Sequence, residues 1–123
     1  TINNKGEFIK PSILENIKLK SGKLIWENKF KSKKIINEEI ANNLNFLLEK
    51  SVSDGNGIAA SIRGKKVFGK TGTSDLNRDL WFIGSIKNLT TGIWIGFDDN
   101  RSTDLSSGTS ANLWKIYINE IKI

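Results

Sequence analysis

The alternation of apolar and polar residues near the start of the chain predicts a β-hairpin over residues 8–31. Ile17 and Leu19 alternate with polar neighbours, as the two faces of a strand require. Ser21-Gly22 supplies a two-residue turn, and Leu24-Ile25-Trp26 forms the return strand. The chain is therefore expected to open with a lead-in hairpin.

A helix is predicted over residues 37–52, because apolar residues recur there at helical spacing. Asn37 is the expected N-cap, and Glu38 and Glu39 lie in the first turn, where the helix dipole favours acidic side chains. Two glycines within residues 54–57 end the helix. The face expected to pack into the core consists of Ile40, Leu44, Leu47 and Leu48.

A three-stranded sheet is predicted over residues 66–99, with a closing helix over residues 110–121. The connections within the sheet are short, so sequential strands should be antiparallel neighbours. An antiparallel sheet with helices packed on it belongs to the α+β class. The apolar face of the closing helix is expected to consist of Leu113, Trp114, Tyr117, Ile118 and Ile121.

The composition excludes several classes of site, because the chain contains no cysteine and no histidine. Disulfides, Cys/His zinc sites, thiol nucleophiles and the Ser-His-Asp triad each need one of them. No run of about 18 apolar residues and no signal peptide is visible. A chain of 123 residues that starts at Thr1 and lacks methionine is expected to be a piece of a longer protein.

Positive charge is concentrated in the first part of the chain. Residues 1–70 carry 14 basic and 7 acidic residues, a net charge of +7, whereas residues 71–123 carry 5 and 6, a net charge of −1. A basic half is typical of proteins with an anionic partner, so a basic interaction module without catalysis is one hypothesis. Because acidic residues lie between the lysines, we favour a solvated surface and expect no nucleic-acid partner.

The most informative stretch is Gly69-Lys70-Thr71-Gly72-Thr73, where one lysine stands among glycine and hydroxyl residues. Glycine lets a ligand approach the backbone closely. Threonine hydroxyls and free backbone N–H groups can hold a carboxylate or an oxyanion. The stretch therefore predicts an electrostatic site for an anionic group.

An alternative is a phosphate-binding loop, because Gly64–Thr71 satisfies the pattern G-x-x-x-x-G-K-[ST]. That loop requires a helix that begins at the lysine. Here Val67-Phe68 is strand-like, and Gly72 and Ser74-Asp75 do not favour a helix. We therefore hold the nucleotide hypothesis as the less favoured one.

Lys70-Thr71-Gly72-Thr73 resembles the third active-site motif of the penicillin-binding transpeptidases and serine β-lactamases. The resemblance to class A, bifunctional penicillin-binding proteins extends over residues 69–74, 78–84 and 92–99. Residues 54–60 and the lead-in hairpin are also similar to that family. The resemblance implies a partial penicillin-binding transpeptidase fold, with residues 1–123 forming the C-terminal segment of a transpeptidase domain.

The activity that the resemblance implies is serine acyl transfer on the D-Ala–D-Ala end of a peptidoglycan stem peptide. It also implies that β-lactam antibiotics bind, that no cofactor is needed, and that the site lies on the extracytoplasmic side of the bacterial inner membrane. The missing N-terminal part of the same domain would be a further partner. The segment alone is predicted to be inactive.

The resemblance also implies a role for each residue of the motif. Lys70 would supply positive charge and assist proton movement, and Gly72 would keep the strand edge free of a side chain. The hydroxyls of Thr71 and Thr73 would hold the carboxylate of the substrate, with Ser74 in the same binding group. The backbone N–H of Thr73 would form half of the oxyanion hole.

The sequence departs from the family pattern, because no serine is followed three residues later by lysine. The family's S-x-x-K nucleophile is therefore absent. Ser110-Ala111-Asn112 spells S-x-N, but its position after the K-T-G strand predicts a helix start instead. Arg78 and Asp79 are expected either to form a salt bridge that holds the turn after the motif or, as an equally favoured alternative, to have a catalytic role.

Overall fold

The computed structural model describes residues 1–121. Residues 122 and 123, the last two of the segment predicted over residues 1–123, lie outside the described residues. The structure divides into two compact units, Thr1–Asn42 and Asn43–Ile123. The first unit contains two antiparallel strand pairs, one nested inside the other, where a single hairpin over residues 8–31 was expected. The strands are β1 (Glu7–Ile9), which pairs with β4 (Ser32–Lys34), and β2 (Asn16–Lys18), which pairs with β3 (Leu24–Glu27).

Three residues lie between Leu19 and Lys23, the hydrogen-bonded pair that closes the loop from β2 to β3, so the predicted two-residue turn was wrong. The Gly22 N–H donates to the Leu19 carbonyl, and the Leu19 N–H donates to the Lys23 carbonyl, each at 2.9 Å. Gly22 has a φ of 85°, a left-handed conformation that glycine adopts without steric cost. Gly22 thus ends a three-residue loop and does not occupy the centre of a two-residue one.

The first helix, α1, spans Glu38–Ser53 and begins at the predicted cap. The Glu39 N–H donates to Asn37 Oδ1 at 2.8 Å, which satisfies one of the free N–H groups of the first turn. Near its other end, Lys50 Nζ donates to Asp54 at 3.0 Å. This hydrogen bond, together with one from Ser53, lowers the pKa of the exposed Asp54 carboxyl.

The predicted core face of α1 was wrong in part. The side chains of Ile40 and Leu47 are 53% and 61% exposed, whereas the buried residues of the helix are Ala41 and Val52. The apolar residues of this helix lie on more than one of its faces, so helical spacing alone could not identify the face that packs into the core.

The second unit contains the expected antiparallel sheet, in the order β5-β6-β7. The helix α2 (Ser107–Glu120) contacts all three strands. The strands are β5 (Phe68–Thr73), β6 (Asp79–Ile86) and β7 (Leu89–Gly96). The core between sheet and helices consists of Val52, Ala60, Val67, Phe82, Ile86, Ala111, Trp114 and Ile118.

The helix α2 begins three residues before the predicted start, so Ser110 is not a helix start. Ser110 is fully buried, and its hydroxyl donates to the Ser107 carbonyl at 2.8 Å. Trp114 and Ile118 are buried as predicted, but Leu113 and Tyr117 are each 42% exposed. Within residues 1–121, no helix has the length and apolar character that crossing a membrane requires.

The core depends on close packing of aromatic rings against glycine. The Phe82 and Trp114 rings meet edge to face, with centroids 5.4 Å apart. A Cβ atom at Gly84 would lie 2.6 Å from Phe82 Cε1 and 2.7 Å from Trp114 Cε2. A Cβ atom at Gly69 would lie 2.5 Å from Phe82 Cζ. The two glycines thus leave the space that the Phe82 ring fills.

Substitution of Gly84 by alanine should therefore destabilise the chain by about 1–3 kcal/mol or more, because both neighbouring rings are fully buried and cannot easily move. Gly92→Ala is the matched control, since its Cβ atom would lie 3.7 Å from the nearest side chains. The control should change the free energy of unfolding by no more than about 1 kcal/mol. Denaturant midpoints measure both effects, and equal midpoints would contradict the packing described above.

The outer face of the sheet leads to a second prediction, because Trp81, Ile83 and Trp94 are 43%, 53% and 43% exposed. Contiguous exposed apolar surface favours association. We expect the isolated chain to self-associate with rising concentration and to unfold with less than about 5 kcal/mol. Ile83→Thr should shift the equilibrium towards monomer in sedimentation experiments. A clean monomer with a sharp transition above that value would contradict this prediction.

Candidate active-site wall on an edge strand

The K-T-G motif lies on β5, which is an edge strand of the sheet within the described residues. β5 pairs with β6 along one side, with Lys70 opposite Ile83 and Thr71 opposite Phe82. The backbone groups along the other side of an edge strand are not used by the sheet. The motif therefore presents a row of hydrogen-bonding groups at its free edge.

The Thr73 N–H group points towards this free edge. The next residue, Ser74, donates its N–H to the Asp79 carbonyl at 3.0 Å, on the β6 side. Successive N–H groups of a strand point to alternate sides. The N–H groups of Thr71 and Thr73 are thus directed away from β6, where a ligand could accept their hydrogen bonds.

The side chain of Lys70 meets Thr71 at the same edge. Its Nζ donates to the Thr71 carbonyl at 3.0 Å and to Thr71 Oγ1 at 3.3 Å. Successive side chains of a strand lie on opposite faces, so the exposed lysine bends round the edge to make these contacts. The structure therefore brings a positive charge, a hydroxyl and free backbone groups together.

The two glycines of the motif have different environments. Gly69 is buried beneath Phe82 and cannot accept a side chain without movement of that ring. A Cβ atom at Gly72 would lie 3.4 Å from Trp81 Cβ, which is an ordinary contact. Packing within the described chain therefore requires a glycine at position 69. It does not require one at position 72, so the predicted role of Gly72 at the strand edge stays a prediction.

The hydroxyl of Ser74 is engaged by Asp79 and not by its neighbours in the motif. It donates to Asp79 Oδ2 at 3.0 Å and accepts the Asp79 N–H at 2.8 Å. One acceptor lone pair of the hydroxyl is left. The predicted contact of Ser74 with a substrate would therefore have to use that lone pair or the backbone.

The expected salt bridge between Arg78 and Asp79 was wrong. The other carboxylate oxygen of Asp79, Oδ1, accepts a hydrogen bond from Trp94 Nε1 at 3.0 Å. Among the described residues, no ion pair joins Arg78 to Asp79, and Arg78 Nε has no hydrogen-bond partner. Trp94 was missed because the two residues are 15 positions apart in the sequence and meet only through strand pairing.

Thr103 is a second residue that sequence analysis did not identify. It is buried, and both its N–H and its hydroxyl donate to the Asn77 carbonyl, at 3.1 and 2.8 Å. Leu76 and Asn77 have φ values of 58° and 53°, in the left-handed region, which asparagine tolerates but leucine rarely adopts. The turn after the motif is thus held in an unfavourable conformation by residues from other segments.

The phosphate-loop alternative was wrong, because the backbone at Lys70 does not have the conformation that this loop requires. That hypothesis needs a helix that begins at Lys70. Lys70 lies in the middle of β5 and pairs with Ile83. The backbone at the motif is therefore extended and does not form a phosphate cradle at a helix N-terminus.

Comparison with protein families identifies one that matches most of the chain. The model of the penicillin-binding protein transpeptidase domain matches residues 1–110. Penicillin-binding protein 1A of Clostridium tetani is 34% identical over 95% of this chain, and penicillin-binding protein 1B of Haemophilus influenzae is 31% identical over all of it. The chain spans 16% of the length of each of these relatives.

Solved structures show the same fold. Penicillin-binding protein 1A from Haemophilus influenzae superposes with a TM-score of 0.82 at 23% identity, over 98% of this chain and 24% of that one. An imipenem acyl-enzyme complex of penicillin-binding protein A from M. tuberculosis superposes with a TM-score of 0.78 at 16% identity, over 96% of this chain and 28% of that one. These comparisons confirm both the predicted fold class and the resemblance to class A proteins: the chain belongs to the transpeptidase domain family of penicillin-binding proteins.

Proposed function

We propose that this chain forms the K-T-G wall of the active site of a serine D,D-transpeptidase that cross-links peptidoglycan. The observation that carries the proposal is the geometry of the free edge of β5. There Lys70 Nζ lies within 3.3 Å of the Thr71 hydroxyl, and the Thr73 N–H points outwards. A cation, a hydroxyl and a free donor on one rigid strand suit an anionic substrate and a developing oxyanion.

The free edge of β5 suits an extended peptide as substrate. A peptide that lies along an unpaired edge can form backbone hydrogen bonds as an additional strand. We propose that the stem peptide of peptidoglycan binds in this way, with its terminal carboxylate held by the hydroxyls of Thr71 and Thr73 and by the charge of Lys70. β-Lactam antibiotics would occupy the same edge.

The reaction proposed is acyl transfer in two steps. A serine hydroxyl attacks the carbonyl carbon of the penultimate D-Ala, and the bond to the terminal D-Ala breaks as that residue leaves with a proton on its amine. An amine from a neighbouring stem peptide then displaces the serine and completes the cross-link. The Thr73 N–H stabilises the oxyanion in both steps, and the ammonium of Lys70 assists proton transfer near the serine.

The nucleophile of this reaction would come from outside the present sequence. No serine among the 123 residues has a lysine three positions later, and no histidine is available as a base. Since the chain spans 16% of the length of its relatives, we propose that it is the C-terminal segment of a transpeptidase domain in a longer protein. The rest of that domain would supply the serine and the second motif. We place the protein in the bacterial cell envelope, on the extracytoplasmic side of the inner membrane.

We predict that the chain alone is not acylated by a penicillin. Covalent capture needs an activated serine, which the sequence lacks. Incubation with a fluorescent penicillin, followed by denaturing electrophoresis, should leave the 123-residue chain unlabelled while the full-length protein is labelled. A labelled chain would show that one of its own residues is the nucleophile. That result would overturn the proposal that the nucleophile comes from another part of the protein.

Another prediction concerns Lys70 in the full-length protein. Lys70→Ala should lower the second-order rate constant of acylation by about 10²–10⁴-fold, the contribution of a positioned group that assists proton transfer. Lys66→Ala is the matched control, because Lys66 is an exposed lysine outside the motif that pairs with Glu49 at 3.8 Å. The control should be acylated at the wild-type rate. Equal rates for the two variants would show that Lys70 does not take part in acylation.

The hypothesis of a basic interaction module stays a prediction for the half of the chain that contains the lead-in hairpin. Residues 1–70 carry 14 basic and 7 acidic residues, a net charge of +7. Such a module would bind an anionic polymer with an affinity that falls steeply with salt. Acylation by a penicillin should depend on salt only weakly, so the two functions can be measured separately.

A further inference from the structure

The turn between β5 and β6 is held by three residues that we call the Asp79 clamp: Ser74, Asp79 and Trp94. Each oxygen of the Asp79 carboxylate accepts one side-chain hydrogen bond, from Ser74 Oγ and from Trp94 Nε1, both at 3.0 Å. The Asp79 N–H also donates to Ser74 Oγ at 2.8 Å. The clamp therefore links the end of β5 to both other strands of the sheet.

Gly96 makes the contact between Trp94 and Asp79 possible. It lies opposite Asp79 in the pairing of β6 with β7. A Cβ atom at Gly96 would lie 2.6 Å from Trp94 Cζ2 and 2.9 Å from Trp94 Cε2. The indole of Trp94 thus lies over Gly96, and this position brings its Nε1 within reach of the carboxylate.

The turn would relax without such contacts, because Leu76 and Asn77 both have positive φ values. Thr103 holds the far side of the turn through the Asn77 carbonyl. The clamp holds the near side, at Ser74, directly beside Thr73. The orientation of the Thr73 N–H therefore depends on contacts that originate on β6 and β7.

We propose that Asp79 and Trp94 are positioning residues for the backbone donor at Thr73. This inference rests on the proposed function, in which the Thr73 N–H stabilises the oxyanion of acyl transfer. Neither residue touches the substrate in this arrangement. Their role is to fix the end of β5 so that the Thr73 N–H lies at hydrogen-bond distance from the oxyanion. A small displacement of this donor would lower the reaction rate strongly.

The test uses two matched tryptophans in the full-length protein. Trp81 and Trp94 are paired across β6 and β7, are both 43% exposed, and contact each other with ring centroids 6.4 Å apart. Trp94→Phe and Trp81→Phe both alter this ring contact, but only Trp94→Phe removes the hydrogen bond to Asp79. A difference between the variants therefore reports the clamp and not the loss of aromatic surface.

The measurement is acylation by a fluorescent penicillin, separated into the dissociation constant of the initial complex and the rate constant of the covalent step. Trp94→Phe should lower the rate constant roughly tenfold, within the hundredfold that a displacement of about 1 Å can cost. The dissociation constant should change much less, and Trp81→Phe should keep both values within about twofold. Equal kinetics for the two variants would overturn the inference.

A double-mutant cycle tests whether the effect runs through the carboxylate. Asp79→Ala removes both acceptor oxygens, so neither Ser74 nor Trp94 keeps its side-chain hydrogen bond to this residue. Asp79→Ala and Trp94→Phe should each slow acylation roughly tenfold, and the double variant should be little slower than either. Independent, multiplying effects would show that Asp79 and Trp94 do not act as one unit, and would overturn the inference.

Hydrogen exchange provides a readout apart from activity. The amide protons of Ser74 and Asp79, which are both hydrogen-bonded within the clamp, should exchange faster in Trp94→Phe than in Trp81→Phe, while those of the remainder of β6 stay unchanged. Unchanged exchange at these two residues would overturn the inference. A wild-type protein that no penicillin labels would overturn the proposed function and the inference with it, whereas a labelled wild type with equal tryptophan variants would overturn the inference alone.

Discussion

The structure of the second unit depends on the ring of Phe82, which occupies the space above two glycines. It lies against Gly84 on its own strand and against Gly69 on β5, and Trp114 of α2 packs against its edge. The interior of a protein is packed about as densely as an organic crystal, so a ring in this position fixes the distance between its neighbours. The motif begins at Gly69. The close contact between this glycine and the Phe82 ring therefore fixes the position of β5 against the core.

From that fixed start, the wall of the site extends along β5 to a turn that is fixed independently. Phe82 sets the beginning of the strand, and the Asp79 clamp with Thr103 sets its end. Electrostatic stabilisation of a transition state is effective when donors do not reorganise during the reaction. Both anchors belong to the second unit, so the strand that carries the motif is held at each end by contacts within this unit.

Short-range features were predictable from the sequence, and contacts between distant residues were not. Short connections predicted three antiparallel strands, and Asn37 predicted the start of α1, because both depend on neighbouring residues. The exposure of Ile40 and Leu47 was missed, since helical spacing allowed more than one buried face. The motif placed Lys70 on a strand as predicted, and its role in a site stays a prediction. The hydrogen bond from Trp94 to Asp79 depends on strand register and on the absence of a side chain at Gly96, which no local pattern reveals.

An open strand edge is a hazard, because any extended chain can pair with it. Natural sheets often protect such edges with lysine, whose charge must lose water when a foreign strand docks. Lys70 occupies this position and covers the Thr71 carbonyl with its ammonium group. A neutral strand would have to displace that ammonium, whereas under the function proposed above a substrate with a carboxylate would gain an ion pair from it. On that proposal, the same side chain would disfavour general strand pairing and favour an anionic peptide, so selectivity at this edge would need no separate gate.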